Sequence, residues 1–265
     1  MTDPPAAASS PPERPIGILD QPNEGRVLEA GIDGVVYVRQ PVRTHLVTAV
    51  DDAAQVLVQY AQPLPADTAL VAVSERMVAI TQGRSHRMVD IRPGRLARFL
   101  VRFVTRPGYG IGLGTAETMQ LAIDEVGTPR ILLAAGVSAV TKVFGIHGMF
   151  YRVAGPQAAA IDGPTSYTIP PYNESATLGP KDPNGAARRL AAAIDAPVAV
   201  IDANDAGCNV LGASPGVDRQ LVRRLFADNP LGQAREQTPI AVVRRVAWPA
   251  DRPLPPEPKR RLTPP

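Results

Sequence analysis

Along residues 16–248 the apolar positions follow two periods, which predict short strands mixed with amphipathic helices. Residues 35–39 read as a strand, and so do 45–47. Asp51 and Asp52 then open a helix running to Tyr60, where the positive end of the helix dipole favours acids. Residues 69–73 form a continuous β-rich apolar run, expected as a buried strand, and 78–81 read as a further extended piece. Pro93 and Gly94 lead into a helix over 95–104. A glycine-dense stretch, 108–114, precedes an amphipathic helix over 115–126, and 131–140 is apolar.

The clearest helix spans 182–194, with Asp182 as its cap, Pro183 in its first turn, and Arg188 and Arg189 facing out. Residues 198–201 predict a buried strand ending at Asp202. A helix over 217–227 and a strand over 240–246 complete the body. This alternation predicts an α/β or mixed α+β body rather than a bundle or a sandwich.

Composition sets the boundaries of that body. Residues 1–15 are rich in Pro, Ala and Ser and cannot bury enough apolar surface to offset ordering entropy, so disorder is expected there. Residues 249–265 form a second Pro-rich tail carrying Lys259, Arg260 and Arg261, expected to be extended and polyproline-like. No repeat of solenoid or propeller period is present.

Charge and cysteine content narrow the function classes. The net charge is +3, arginines are spread along the chain, and aromatics make up 5% of residues. Aromatic side chains do not interleave with the arginines, as a single-strand nucleic-acid platform would require. One cysteine, Cys208, permits no internal disulfide, and it reads as a small buried hydrophobe. No apolar run approaches the ~20 residues of a membrane span, and residues 1–15 do not have the pattern of a signal peptide. The expectation is a cytoplasmic protein.

Four segments could carry chemistry. In the first, the strand ending at Asp202 runs directly into Asn204, Asp205 and Gly207. Ligands of α/β sheets bind beyond the carboxyl ends of strands, and hard cations take one or two carboxylates plus substrate phosphates. A strand followed by an Asx turn explains the same residues. In the second, Asp162 follows a short apolar run and precedes Gly163, Thr165 and Ser166. It is either turn chemistry or the second carboxylate of a two-metal site.

The third segment, Gly108 to Thr115, could present backbone N–H groups to an anion or simply enter a helix tightly. It does not fit a Walker A loop. In the fourth, a strand leads into Ser74, Glu75 and Arg76, with Gln82, Gly83 and Arg84 beyond. Arg76 and Arg84 could clamp phosphate or carboxylate, or form a surface ion-pair cluster. His45, His86 and His147 show no metal-ligand spacing, and Ser214 lies in no nucleophile elbow.

Taken in order, these segments resemble the coenzyme F-420-0:L-glutamate ligase family over roughly residues 40–246. The resemblance rests on Asp51-Asp52, on 70–84, on His147 to Phe150 as a strand, and on Ala160 to Asp162. It continues with 178–187, with 198–205, and with Glu236 to Ala241. The chain differs from the family pattern at Glu75, where the family has lysine, and at Pro239, where it has aspartate. Residues 208–235 form an insert.

The resemblance implies a γ-glutamyl-ligase-like fold with mixed sheets and flanking helices, a homodimer, and small-molecule substrates rather than nucleic acid or membrane. It implies that L-glutamate is joined to the carboxylate of F-420-0 or a related acceptor through an acyl phosphate made from GTP. Two Mg²⁺ or Mn²⁺ ions, optionally with K⁺, would be held by Asp162 and by Asp202 or Asp205. Ser74, Arg76, Arg84, Thr165 and Ser166 would contact nucleotide or substrate. A non-catalytic binding protein with the same fold is the alternative.

Overall fold

A computed structural model describes residues 16–104, 112–146, 148–232 and 234–261. The N-terminal tail expected to be disordered, His147, and Gly108 to Ile111 of the glycine-dense stretch lie outside these residues.

In chain order the elements begin with β1 (Gly17–Ile18), β2 (Glu29–Ile32), β3 (Val35–Arg43), α1 (Ala53–Ala61), β4 (Thr68–Ser74) and α2 (Glu75–Thr81). A long excursion follows: β5 (Ser85–Arg87), α3 (Arg95–Leu100), α4 (Ala116–Val126), α5 (Thr128–Val143), α6 (Met149–Ala154), α7 (Pro156–Ala159) and β6 (Ser175–Thr177). The chain then returns through α8 (Pro183–Ile194), β7 (Val198–Asn204), β8 (Gly207–Ala213), α9 (Arg219–Leu225) and β9 (Ile240–Val246).

Among the described residues, seven strands form one mixed sheet in the order β1-β3-β9-β4-β7-β8, with β2 also on β3. Its one parallel pair is β4 with β7; the other neighbours are antiparallel. The body is therefore mixed α/β, as its alternating pattern predicts.

Both faces of the sheet are covered, because the pleat sends successive side chains to opposite sides. Val71, Val73, Val198, Val200, Ile240 and Val242 meet α1, α2 and α8 through Val56, Leu57, Met77, Ala187 and Leu190. The intervening Leu70, Ala72, Ala199, Ile201, Ala241 and Val243 meet α9 through Val222, Leu225 and Phe226. This two-sided burial explains why the central strands read as unbroken apolar runs. A third cluster binds α3 to α7 around Leu113, Met119, Ile131, Ala134 and Phe150, away from the sheet.

Local chemistry sets the helix starts. Asp52 accepts from Ala54 N and Gln55 N at 3.0 Å, Thr115 caps α4 in a box with Thr118, and Asp182 accepts from Gly185 N at 2.9 Å with Pro183 following. Three expectations fail. Residues 78–81 are not extended: Ser74 caps the helix at Met77 N (3.2 Å), and Met77 to Ile80 are all buried, which hides the helical period. Residues 45–47 form a loop rather than a strand. The segment from Met149 is helix α6, not the strand that the resemblance implied.

The second Pro-rich tail is docked along the fold. The Gly31 N–H reaches Pro256 O at 3.3 Å, and Arg224 pairs with both Asp33 and Glu257. Arg261 donates through Nε to Asp228 O (3.1 Å) and through its terminal nitrogen to Gly25 O (2.6 Å). Arg39, almost fully buried, anchors the same side with bonds to Asp228 and to the carbonyls of Leu225 and Val27. No helix among the described residues is long and apolar enough to cross a membrane.

Candidate functional site

A cavity of about 720 Å³ opens at the carboxyl ends of β4 and β7. Register explains what it contains. Ser74 and Ile201 are Cα partners across the parallel pair. The residues that follow, Glu75 at the start of α2 and Asp202 on β7, therefore emerge at the same end of the pair. This is the position where open α/β sheets bind ligands.

Asp162 comes to the same cavity from the excursion. It forms an isolated bridge with Thr177, exchanging N–H···O bonds of 2.9 and 2.8 Å, while the preceding Ile161 is buried in the helical cluster. Arg76 spans the gap: one terminal nitrogen donates to Asp162 Oδ2 at 3.0 Å and the other to Thr168 Oγ1 at 3.2 Å. Thr168 is buried and shares a 2.5 Å hydrogen bond with Thr165 Oγ1.

The electrostatics of this corner are unfavourable for the carboxylates as they stand. Burial, and then the charges of Asp202 and Asp162, push the Glu75 carboxyl well above the usual range, with Arg76 opposing. Burial and Asp162 also raise Asp202, while the Asn204 amide, 3.3 Å away, and Arg76 lower it. The Glu75 carboxyl makes no hydrogen bond to any described residue. Among the described residues lining the cavity, five are acidic (Glu75, Asp162, Asp202, Asp205 and Glu236), against Arg76 and the imidazole of His45. Acidic side chains thus outnumber basic ones in this lining.

Not every candidate residue belongs to this corner. Ser74, Arg76, Thr165, Asp162, Asp202 and Asp205 all line the cavity. Asp205 sits at the tip of the β7–β8 hairpin, where its carboxylate is paired with Arg26 at 2.9 Å and its carbonyl accepts from Arg261 N. That ion pair already engages the Asp205 carboxylate. Asn204 is the turn residue of the alternative reading, its Oδ1 accepting from Ala206 N at 2.9 Å.

Two residues are corrections. Arg84 is buried outside the cavity, with Nε on Gly179 O (2.6 Å) and a terminal nitrogen on Glu125 (2.7 Å), because the positive-φ turn at Gly83 redirects the chain. There it braces the excursion, away from the cavity. Ser166 is exposed in a turn and is not part of the lining. Conversely, sequence reading did not select Glu75, whose importance arises from pairing with a strand over a hundred residues away.

The far wall holds a second polar group. His45 Nδ1 lies 2.7 Å from Tyr60 Oη and its Nε2 lies 3.1 Å from Asp51. Asp51 also accepts from Thr48 N and Oγ1 at 2.7 and 2.9 Å, and the Thr48 N–H is the main cause of its lowered pKa. Tyr172 Oη donates to Val47 O at 2.7 Å. Together they hold the 44–52 loop rigid against the opening. Cys208, on β8, has its thiol pushed up to about 12 by burial and by Asp202, which excludes it as a nucleophile near neutrality.

Among the described residues, no three His, Cys, Asp or Glu side chains are gathered tightly enough to cage a metal by themselves. A Mg²⁺-type site does not require such a cage, since one or two carboxylates complete their shell with water and phosphate oxygens. Neither family models nor curated proteins give a match to this chain.

Proposed function

We propose that the protein is a divalent-metal-dependent amide ligase that uses GTP to join L-glutamate to F-420-0 or a related carboxylate, with the γ-glutamyl-ligase-like fold that its motifs resemble. The observation that supports it best is the convergence of Glu75 and Asp202 at the ends of the parallel strand pair, facing Asp162. The raised Glu75 and Asp202 carboxyls favour a bound cation, and a Glu75 carboxyl without a hydrogen-bond partner among the described residues is a free donor for one.

In this reading Asp202 and Glu75 hold one Mg²⁺ or Mn²⁺, and Asp162 contributes to the second. When bound, the ions neutralise charge on the transferring phosphoryl group. Arg76 supplies the one guanidinium among the described residues of the lining and orients a phosphate or carboxylate. Thr165 and Thr168 position Arg76. The acceptor carboxylate takes up the γ-phosphoryl group and GDP leaves. The glutamate amine then displaces phosphate to form the amide.

The test combines metal titration with product analysis. Purified protein is titrated with Mn²⁺, with and without GTP, then incubated with L-glutamate and F-420-0 and examined by mass spectrometry. A product heavier by one glutamyl unit, lost in Asp202→Asn, is the expected result. Absence of Mn²⁺ binding in folded protein overturns the reading.

A second reading, a non-catalytic binding protein, is favoured by the sparse positive charge in the cavity. It predicts cation binding without turnover of any nucleotide.

A further inference from the structure

Helix α5 carries an apolar face that nothing among the described residues covers. Its inner side, with Ile131 and Ala134, packs into the helical cluster beside α4 and α6. The residues of α5 exposed from 132 onward are Leu132, Leu133, Gly136, Ala139, Val140 and Val143, and the face continues into Phe144 and Ile146. None is charged. Val143 is 83% exposed and Phe144 75%, far beyond what scattered surface hydrophobics need. Scaled to ordinary side-chain areas, the face presents on the order of 700 Å², above the largest patch of a typical monomer and close to the ~800 Å² per partner of a standard interface.

The stripe is symmetric about its centre. Gly136 sits at the middle of the 16-residue helix, with nothing within 4 Å of where its Cβ would point. Leu132 and Leu133 lie one turn before it and Ala139 and Val140 one turn after, with Pro129 and Val143 a further turn out. Two antiparallel copies crossing at Gly136 would set the leucines of each against the smaller Ala139 and Val140 of the other. A C2 interface requires such self-complementarity, and an uncharged stripe brings no like-charge repulsion to its own twofold axis. Helix-into-groove packing then lets the backbones approach where the glycine leaves no side chain.

We propose that this face is the homodimer interface of the protein, with a second copy of the chain as its occupant and Gly136 on the twofold axis. The inference does not depend on what the cavity binds.

The experiment is sedimentation velocity on the full chain from about 1 to 100 µM, a range that covers ordinary homodimer affinities. It is run beside the Leu133→Glu/Val140→Glu double variant, with melting curves for both. The expected result is a wild-type dimer and a variant weakened at least ~100-fold, melting cooperatively as a monomer. Since the variant could misfold, Gly136→Cys on a Cys208→Ser background supplies a second readout. Mild oxidation should link two copies through residue 136, whereas Arg130→Cys, at the side of the stripe, should link poorly. A wild-type monomer over the whole range overturns the proposal. So does a dimer that survives the double substitution, or a monomer that sediments with phosphatidylglycerol vesicles through this face.

Discussion

The Arg76 guanidinium lies 3.0 Å from the Asp162 carboxylate, joining the first turn of α2 to a residue 86 positions later on the far rim of the cavity. Both side chains keep solvent access, at 33% and 58%, so the pair contributes little to folding. Its effect is on occupancy: Arg76 competes with any cation for Asp162. Arg76→Ala should leave the melting temperature nearly unchanged, tighten Mn²⁺ binding several-fold and, under the proposed ligase reading, abolish turnover. Calorimetric titration checks the middle claim, and weaker Mn²⁺ binding would refute the competition.

The raised Glu75 and Asp202 carboxyls set a pH dependence. In the unfolded chain they titrate near the ordinary values of 4.5 and 3.8; in the folded chain they hold protons to higher pH. The folded state thus binds more protons above about pH 4, and its stability falls as pH rises from there through the raised values. Glu75→Gln should flatten that decline and raise the melting temperature at pH 7.5. Added Mg²⁺ should do the same for the wild type but not for Asp202→Asn. Thermal melts over pH 4–9 decide it. The lowered carboxyls of Asp51 and Asp67 work in the opposite, more acidic window.

Arg39 shows what a buried charge does when its partners are all supplied. It is 1% exposed and bonds to Asp228 and several carbonyls. Arg39→Met strands Asp228 and those carbonyls, and should cost about 3–5 kcal/mol by urea denaturation. A loss below 1 kcal/mol would mean that the network is solvated.

Gly31 tests the docked tail. A Cβ there would lie 2.1 Å from the Pro255 carbonyl, so Gly31→Ala should destabilise by about 1–3 kcal/mol in the full chain. Removing residues 249–265 takes that carbonyl away. The glycine substitution should then cost much less in the shortened chain, and a double-mutant cycle measures the difference.

The parts of this fold legible in the sequence were those with a local cause. The strand over 240–246 and the helix over 183–194 follow from an unbroken apolar run and from an Asp-Pro start. α2 was misread because its buried Met77 to Ile80 form a short apolar run that strand and helix share, although Ser74 before it was a usable cap signal. α5 reads only as apolar, since its exposed residues from 132 onward include no charged one to mark a period. At the site, Asp162 and Asp202 were visible as carboxylates following apolar runs. Glu75 was not, because its neighbour is chosen by strand order. Arg84 looked like Arg76 in sequence and differs through a single positive-φ turn.

Strand order also dictates when the molecule can form. β9 follows every other strand of the sheet along the chain, yet it lies between β3 and β4. A nascent chain halted before residue 240 therefore has no filler for the gap, and leaves two long apolar strand edges open to wrong partners. The sheet can close only once residues 240–246 have been made, so the order of events in its assembly is written into the position of one strand.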